Sequence, residues 1–244
     1  MKKLNLKPVT MSARFTIFLL AVSCSLLLLS GCSNNPVTTT TTTGTGTGTG
    51  TDDNISLSVQ SADNIGDNAS IEITEAKGLL TEIEVESDSS VRRIKAGPIV
   101  VNLDVAGLNK VMTSGIIPTG TYRKIKFQLH KPEDTETIPD PEFREGSSGR
   151  QRYSFIIKGR YNGVPFVYKT RKTINIVMAL TSPLNLATKS NLTILFDKIK
   201  WFQNGSGSFD PSNESFEDEI DDNIKNSFRK VFRDDDKNGV PDDN

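Results

Sequence analysis

Between Asn54 and Asn204 apolar side chains recur at every second position, and this alternation restricts the fold more than any other feature of the chain. Ile55, Leu57 and Val59 alternate with polar residues. So do Ile99, Val101, Leu103 and Val105, and Ile125, Phe127 and Leu129 stand between Lys124, Lys126 and Gln128. A period of two lines one face of an extended strand, whereas a helix needs recurrences of three and four. Further short runs start at Ile71 and Ile83, and Gly, Pro, Asn, Asp or Ser clusters punctuate them all. Tyr161-Asn162-Gly163-Val164 is a hairpin signal, because Asn-Gly tolerates the positive φ angles of a type I′ turn. Arg152–Tyr161 and Val164–Thr173 are therefore expected to pair. Ile174, Ile176 and Met178 continue the pattern, and Asn191 to Trp201 reads as a last strand with a bulge near Asp197.

Eight or nine strands without a convincing internal helix predict a mainly β fold. The expected form is an antiparallel β-sandwich, Ig-like or transthyretin-like, followed by a C-terminal α-helix. Leu108 to Val111 is expected to make one helical turn in a crossover. Lys131 to Gln151, with Pro132, Pro139, Pro141 and the Glu145-Gly146-Ser147-Ser148-Gly149 run, is expected to be an exposed loop and a candidate binding surface.

The amino-terminal segment has a different character. Lys2, Lys3, Lys7 and Arg14 precede an apolar run from Phe15 to Leu29, which closes in Leu29-Ser30-Gly31-Cys32. A run of about 15 residues suits a signal-peptide core and is short of the roughly 20 a spanning helix needs. The pattern resembles the lipobox of bacterial lipoproteins. That resemblance implies a signal peptide over 1–31 and a diacylglycerol (with palmitate-type acyl chains) on Cys32 as the first mature residue. Two or more acyl chains hold a protein firmly at a membrane. It also implies a cell-envelope location, at the outer membrane and facing the periplasm or the surface. Ser33 to Asp53 is a Thr/Gly tract with almost no apolar side chain, so it cannot offset ordering entropy by burial. Residues 32–53 are expected to form a flexible spacer reaching roughly 25 Å.

A second resemblance lies inside the β-rich region. Gly97-Pro98-Ile99-Val100-Val101-Asn102-Leu103, followed by Ile117-Pro118-Thr119-Gly120-Thr121-Tyr122-Arg123-Lys124-Ile125, looks like a domain of unknown function of bacterial envelope lipoproteins. Its mark is a Pro-x-Gly-x-Tyr turn leading into a strand. The resemblance covers about 54–204 and implies β-rich architecture and envelope location.

Composition narrows the chemistry. Of the two cysteines, Cys24 lies in the signal segment and Cys32 is the lipidation candidate, so neither a disulfide framework nor a cysteine metal site is expected. His130 is the single histidine, which excludes most histidine-based catalytic and zinc arrangements. The net charge of −1 offers no basic field for nucleic acid. Arg150, Arg152, Lys158, Arg160, Lys169, Arg171 and Lys172 do gather on the expected hairpin, where a basic strip could meet an anionic lipid, glycan or peptide. Trp201-Phe202 offers a platform for a sugar or a core anchor. No nucleophile motif surrounds His130, and no phosphate-cradling glycine loop leads from a strand into a helix.

The tail, 205–244, is acidic: residues 209–244 hold twelve acidic side chains and five basic ones. Phe216, Ile220, Ile224, Phe228, Val231 and Phe232 recur at three and four, which predicts one helix with an apolar stripe. Asp210-Pro211 or Ser215 would start it, and acidic early turns with basic late ones suit the helix dipole. Asp234-Asp235-Asp236-Lys237-Asn238-Gly239-Val240-Pro241-Asp242 then matches the first part of an EF-hand-type loop. Calcium takes six to eight oxygens from such a spacing. Asp234, Asp236 and Asn238 would supply side-chain oxygens, Val240 its carbonyl, and Asp242 an oxygen or a bound water. The segment resembles the calcium-binding aspartate repeats of bacterial surface proteins. It lacks the bidentate glutamate of position twelve, so any site is expected to be weak.

The functional expectation is a lipid-anchored, non-enzymatic binding or adhesion-like module for a protein or glycan ligand. The alternatives are a carboxylate-based glycan hydrolase of the envelope, and a scaffold subunit that docks a partner through its C-terminal helix. Two facing carboxylates in a deep pocket would favour the hydrolase; burial of the helix stripe on its own sheet would count against the scaffold.

Overall fold

The computed structural model describes residues 52–62, 70–103, 107, 109–145 and 150–242. The expected signal peptide, Cys32 and almost all of the expected spacer lie outside them. Alternation becomes strand where it was expected. β1 is Ile55–Ser61, β2 Ile71–Glu86 and β3 Val91–Leu103. β4 (Lys110–Gly115) and β5 (Gly120–Leu129) follow. The two-residue strands β6 (Arg144–Glu145) and β7 (Gln151–Arg152) pair with each other inside the Pro-rich segment. β8 (Phe155–Tyr161) and β9 (Val164–Thr170) form the expected hairpin, with Asn162 at φ 49° and Gly163 at φ 79°. These are the positive angles a type I′ turn requires.

β10 (Ile174–Leu186) and β11 (Ser190–Phe196) come next. The small hairpin β12 (Gln203–Asn204) and β13 (Gly207–Ser208) precedes helix α1 (Glu217–Ser227) and the last strand, β14 (Phe228–Arg233).

Ten strands make one curled sheet in the order β4-β1-β11-β14-β10-β5-β2-β8-β9, with β3 added on β2. The curl is tight. A methyl group on Gly115 of β4 would stand 2.5 Å from the Ile94 carbonyl oxygen of β3, so only glycine fits there. β14 joins the two halves of the sheet. It runs antiparallel to β11 over five residue pairs, but meets β10 in parallel at Leu180 and Val231 alone.

The interior is apolar and contiguous. Leu57, Ile83, Ile125, Ile194, Phe196, Trp201 and Val231 are all fully buried. Phe196 stacks on Trp201 with ring centroids 5.6 Å apart, and Phe155 meets the indole edge-on at 5.5 Å. Each such side chain contributes about 1.5–3 kcal/mol by leaving water. Trp201-Phe202 is thus core, not a sugar platform. It sits on a 3₁₀ turn, Lys198–Phe202, so the strand expected over 191–201 stops at Phe196 instead of running on through a bulge near Asp197.

Four other expectations are corrected. The sheet is mixed and not wholly antiparallel, because β1 pairs with β11 in parallel from Ile55–Ser190 to Ser61–Phe196. The helix stops at Ser227, and Phe228, Val231 and Phe232 belong to β14. Spacings of three and four fit a helix there, but insertion between β10 and β11 supplies strand partners that an isolated pattern cannot reveal. Lys110 and Val111 open β4 instead of closing a helical turn. The Pro-rich segment is not simply an exposed loop. Its Phe143 is fully buried beside Leu79, Tyr153 and Ile156, in a second small core on the outer face of β2 and β8.

Candidate functional site

The acidic loop after β14 is built around Asp234, which is fully buried. Its backbone N–H donates to the Asn191 carbonyl at 2.9 Å, continuing the β14–β11 ladder by one residue. That ladder delivers the Asp234 side chain to a polar layer over β1 and β11. Asn109 Nδ2 and Thr193 Oγ1 both donate to its Oδ2 at 2.6 Å. Asn238 N donates to Oδ1 at 2.9 Å and Gly239 N to Oδ2 at 3.1 Å. All four donors are uncharged. Asn191 ties the layer together: its Oδ1 accepts from Ser56 and Ser58, while its Nδ2 donates to Thr193 and to the Asp234 carbonyl. Ser58, Asn191 and Thr193 are buried too.

The loop turns by two residues with positive φ, Lys237 at 58° and Gly239 at 81°. Gly239 packs on Gln60 so closely that a Cβ would lie 2.1 Å from Gln60 Oε1. Side chain and backbone close the rest. Asp236 accepts from Asn238 N at 3.1 Å, Asn238 Oδ1 from Val240 N at 2.7 Å, and Asp242 Oδ2 from Asp235 N at 2.6 Å. Asp235 turns away. It accepts from Ser190 Oγ and Asn191 N and pairs with Arg233. Burial would raise its carboxyl, but these partners outweigh burial and hold it below the ordinary value.

The structure thus puts Asp234, Asp236, Asn238, Val240 and Asp242 in one loop but divides their roles. Asp234 faces inward, while Asp236, Asn238 and Val240 are exposed. Among the described residues no group of three or more His, Cys, Asp or Glu side chains is arranged to hold a metal ion. Two oxygens beside the loop, Asn109 Oδ1 and Gln60 Oε1, are buried without a hydrogen-bond donor. Apolar periodicity carries no hint of Asn109, Gln60, Asn191 or Thr193. The one available signal was the run of small polar residues on β1 and β11, where apolar partners would be usual.

A shallow groove of about 390 Å³ opens beside the loop. Asp53 and Asn54, at the end of the expected spacer and the start of the β-rich region, line it with Ser114, Asn191, Asp235 and Lys237.

The other candidates are absorbed by structure. Lys158 pairs with Glu75 and Glu142, Arg160 with Glu72, Arg152 with Asp134, Lys169 with Glu145, and Lys172 with Asp218 and Asp221. The basic strip of the hairpin is therefore largely neutralised by acidic side chains. His130 Nε2 lies 3.4 Å from Glu133 Oε1, and its backbone N–H donates to Leu79 O. Tyr122, of the Pro-x-Gly-x-Tyr turn, is buried and donates its hydroxyl to the Pro118 carbonyl at 2.7 Å.

The apolar stripe of α1 is spent within the chain. Ile220 and Ile224 are fully buried, and Phe216 stacks on Phe209 at 4.6 Å. The buried Asp221 accepts from Tyr168 at 2.8 Å and faces Lys172 at 3.3 Å. Burial and that carboxylate push the Tyr168 hydroxyl far above its ordinary range, so it stays a donor.

The chain matches no family model, no curated protein and no solved structure. None of its described helices is long and apolar enough to cross a membrane.

Proposed function

We propose that this is a lipid-anchored protein of the bacterial cell envelope, held through Cys32 and a Thr/Gly spacer, whose β-sandwich module binds a ligand without transforming it. The fold would be two layers: β4-β1-β11-β14 facing the strands from β10 to β9 across the apolar core. The groove beside the C-terminal loop is the ligand surface under this reading, and a protein or glycan is its ligand. Calcium braces the loop through Asp234, Asp236, Asn238, the Val240 carbonyl and Asp242.

One observation carries the proposal: a buried carboxylate with only neutral donors stands next to two buried oxygens that have no donor at all. A hard cation satisfies that combination, and the loop it would brace forms one wall of the groove. The acyl anchor rests on the Leu29-Ser30-Gly31-Cys32 segment.

Calorimetric titration of the full chain with calcium tests this reading. The expected result is saturable heat in the millimolar range and a raised melting temperature, both lost in Asp236→Ala, whose exposed side chain supports no buried partner. No heat and no stabilisation at about 10 mM calcium would remove the metal from the proposal.

A further inference from the structure

We infer that Phe228–Asp242 is a latch: the last strand and its loop leave and re-enter the sheet as one unit while the remaining strands stay folded. The inference does not depend on calcium. It rests on where β14 lies and on what holds its far end.

β10 and β11 are consecutive strands separated by only three residues, 187–189. So short a connection ordinarily joins two strands that pair with each other. Here β14 stands between them, supplied from more than 30 residues further along the chain. Its hold on the two sides is unequal. The β11 side is a five-pair ladder from Leu192–Arg233 to Phe196–Phe228, and the β10 side is the single pair Leu180–Val231. β14 pairs with β10 and β11 alone among the described strands, so its withdrawal breaks no pairing between other strands. What it leaves is a slot floored by apolar side chains and edged by β11, shaped for the segment that left it. The occupant of the slot is this chain's own Phe228–Arg233.

The clasp at the far end decides when that happens. Asp234 bonds to three different segments: Asn109 before β4, Thr193 on β11, and its own loop at Asn238 and Gly239. Breaking the Asp234 side-chain contacts releases the loop end of β14 from Asn109 and Thr193 together. The clasp is costly to close, since it buries a carboxylate against uncharged donors and leaves Asn109 Oδ1 and Gln60 Oε1 unbonded. The sheet therefore has uncompensated polar burial at the end of a strand that is held mainly from one side. Local opening takes the path of smallest loss. α1 does not move with the latch: Ile220, Ile224 and the Tyr168–Asp221 bond keep it on the hairpin side.

Hydrogen exchange of the full chain, in chelator, with mass-resolved peptides tests the latch. Peptides over 228–242 are expected to exchange together, at least about tenfold faster than those over β2 and β5. Thr193→Val removes one donor of the clasp and keeps the side-chain shape. It is expected to speed exchange over 228–242 about tenfold further and to leave β8 and β9 unchanged. The latch is overturned if 228–242 exchanges in the parent at the rate of β2 and β5. It is overturned equally if Thr193→Val accelerates every segment by the same factor. The parent measurement decides the question even where the variant does not fold.

Discussion

Two segments of this molecule are held down by one buried charged side chain each, and they are held in opposite ways. The Pro-rich segment is clasped by Lys77, with only a tenth of its side chain exposed. Lys77 Nζ contacts Glu75 at 3.2 Å and Asp140 at 2.6 Å, and also Glu142. Lys158 shares Glu75 and Glu142. Burial alone would lower the Lys77 ammonium, but its carboxylates outweigh burial and raise it above the ordinary lysine value. The C-terminal segment is clasped by Asp234, which no cation accompanies in its four bonds. Charge meets charge in the first clasp, and charge meets dipole in the second. The first is a self-sufficient fastening. The second keeps an unbalanced negative charge, and this is why the loop, not the Pro-rich segment, is the place to look for a cation.

The largest effect separating the two should come from Asp234→Ala. It strips an acceptor from the buried Thr193, from the half-buried Asn109 and from two backbone N–H groups at once. Leaving these donors unsatisfied costs about 3 kcal/mol, with a fall of roughly 10 °C in melting temperature. Urea titration measures the loss directly. A loss below about 1 kcal/mol would mean that the four donors find water instead and that the clasp holds little.

Lys77→Met should cost less, about 2 kcal/mol, although more charges lie around it. Methionine keeps the apolar stem, and the carboxylates it abandons are not sealed in. Glu75, Asp140 and Glu142 keep 40%, 25% and 27% of their side-chain exposure and can rehydrate. The change should also be local, with proteolysis appearing first within 131–152. If Lys77→Met costs as much as Asp234→Ala, the contrast between balanced and unbalanced clasps is wrong.

Neither clasp was legible in the sequence, and the reason is the same for both. The alternation of apolar residues reports which face of a strand is buried, so the hairpin at Asn162-Gly163 and most inward residues could be read directly. It says nothing about partners brought together from distant segments. Lys77 and Asp140, or Asn109 and Asp234, are linked only through the fold. One trace was present. Leu79-Leu80 and Ile156-Ile157 are adjacent apolar pairs, and all four side chains are buried. Consecutive apolar residues in a strand mean that both faces are covered, which marks where Phe143 and the Pro-rich segment pack. β14 misled for a different reason. Its order of one apolar, two polar and two apolar residues breaks strict alternation, because the β11 register shifts between Leu195 and Phe196. That irregular strand reads as the continuation of the helix before it.

Acid should sharpen the comparison with the smallest effect. Burial would raise the Glu142 carboxyl, but bonds from Lys158 and Lys77 outweigh it and hold it down at about 2, against an ordinary 4.5. A depressed carboxyl contributes stability that is fully present above the ordinary value and disappears as pH falls toward the folded value. The Lys77 clasp should therefore weaken between about pH 4.5 and 2, by about 1 kcal/mol once screening at this partly exposed group is allowed for. The lysines have raised values, so their contribution stays complete below their ordinary 10.5 and is lost only as pH rises beyond it. From about pH 5 to 10 the clasp should then be flat with pH. Exchange of the amides in 131–145, followed from pH 5 downward and corrected for intrinsic rates, gives the comparison. Extra opening should begin below about pH 4.5 in the parent and be absent in Glu142→Gln, which cannot titrate. An equal acid response in both would take Glu142 out of the clasp.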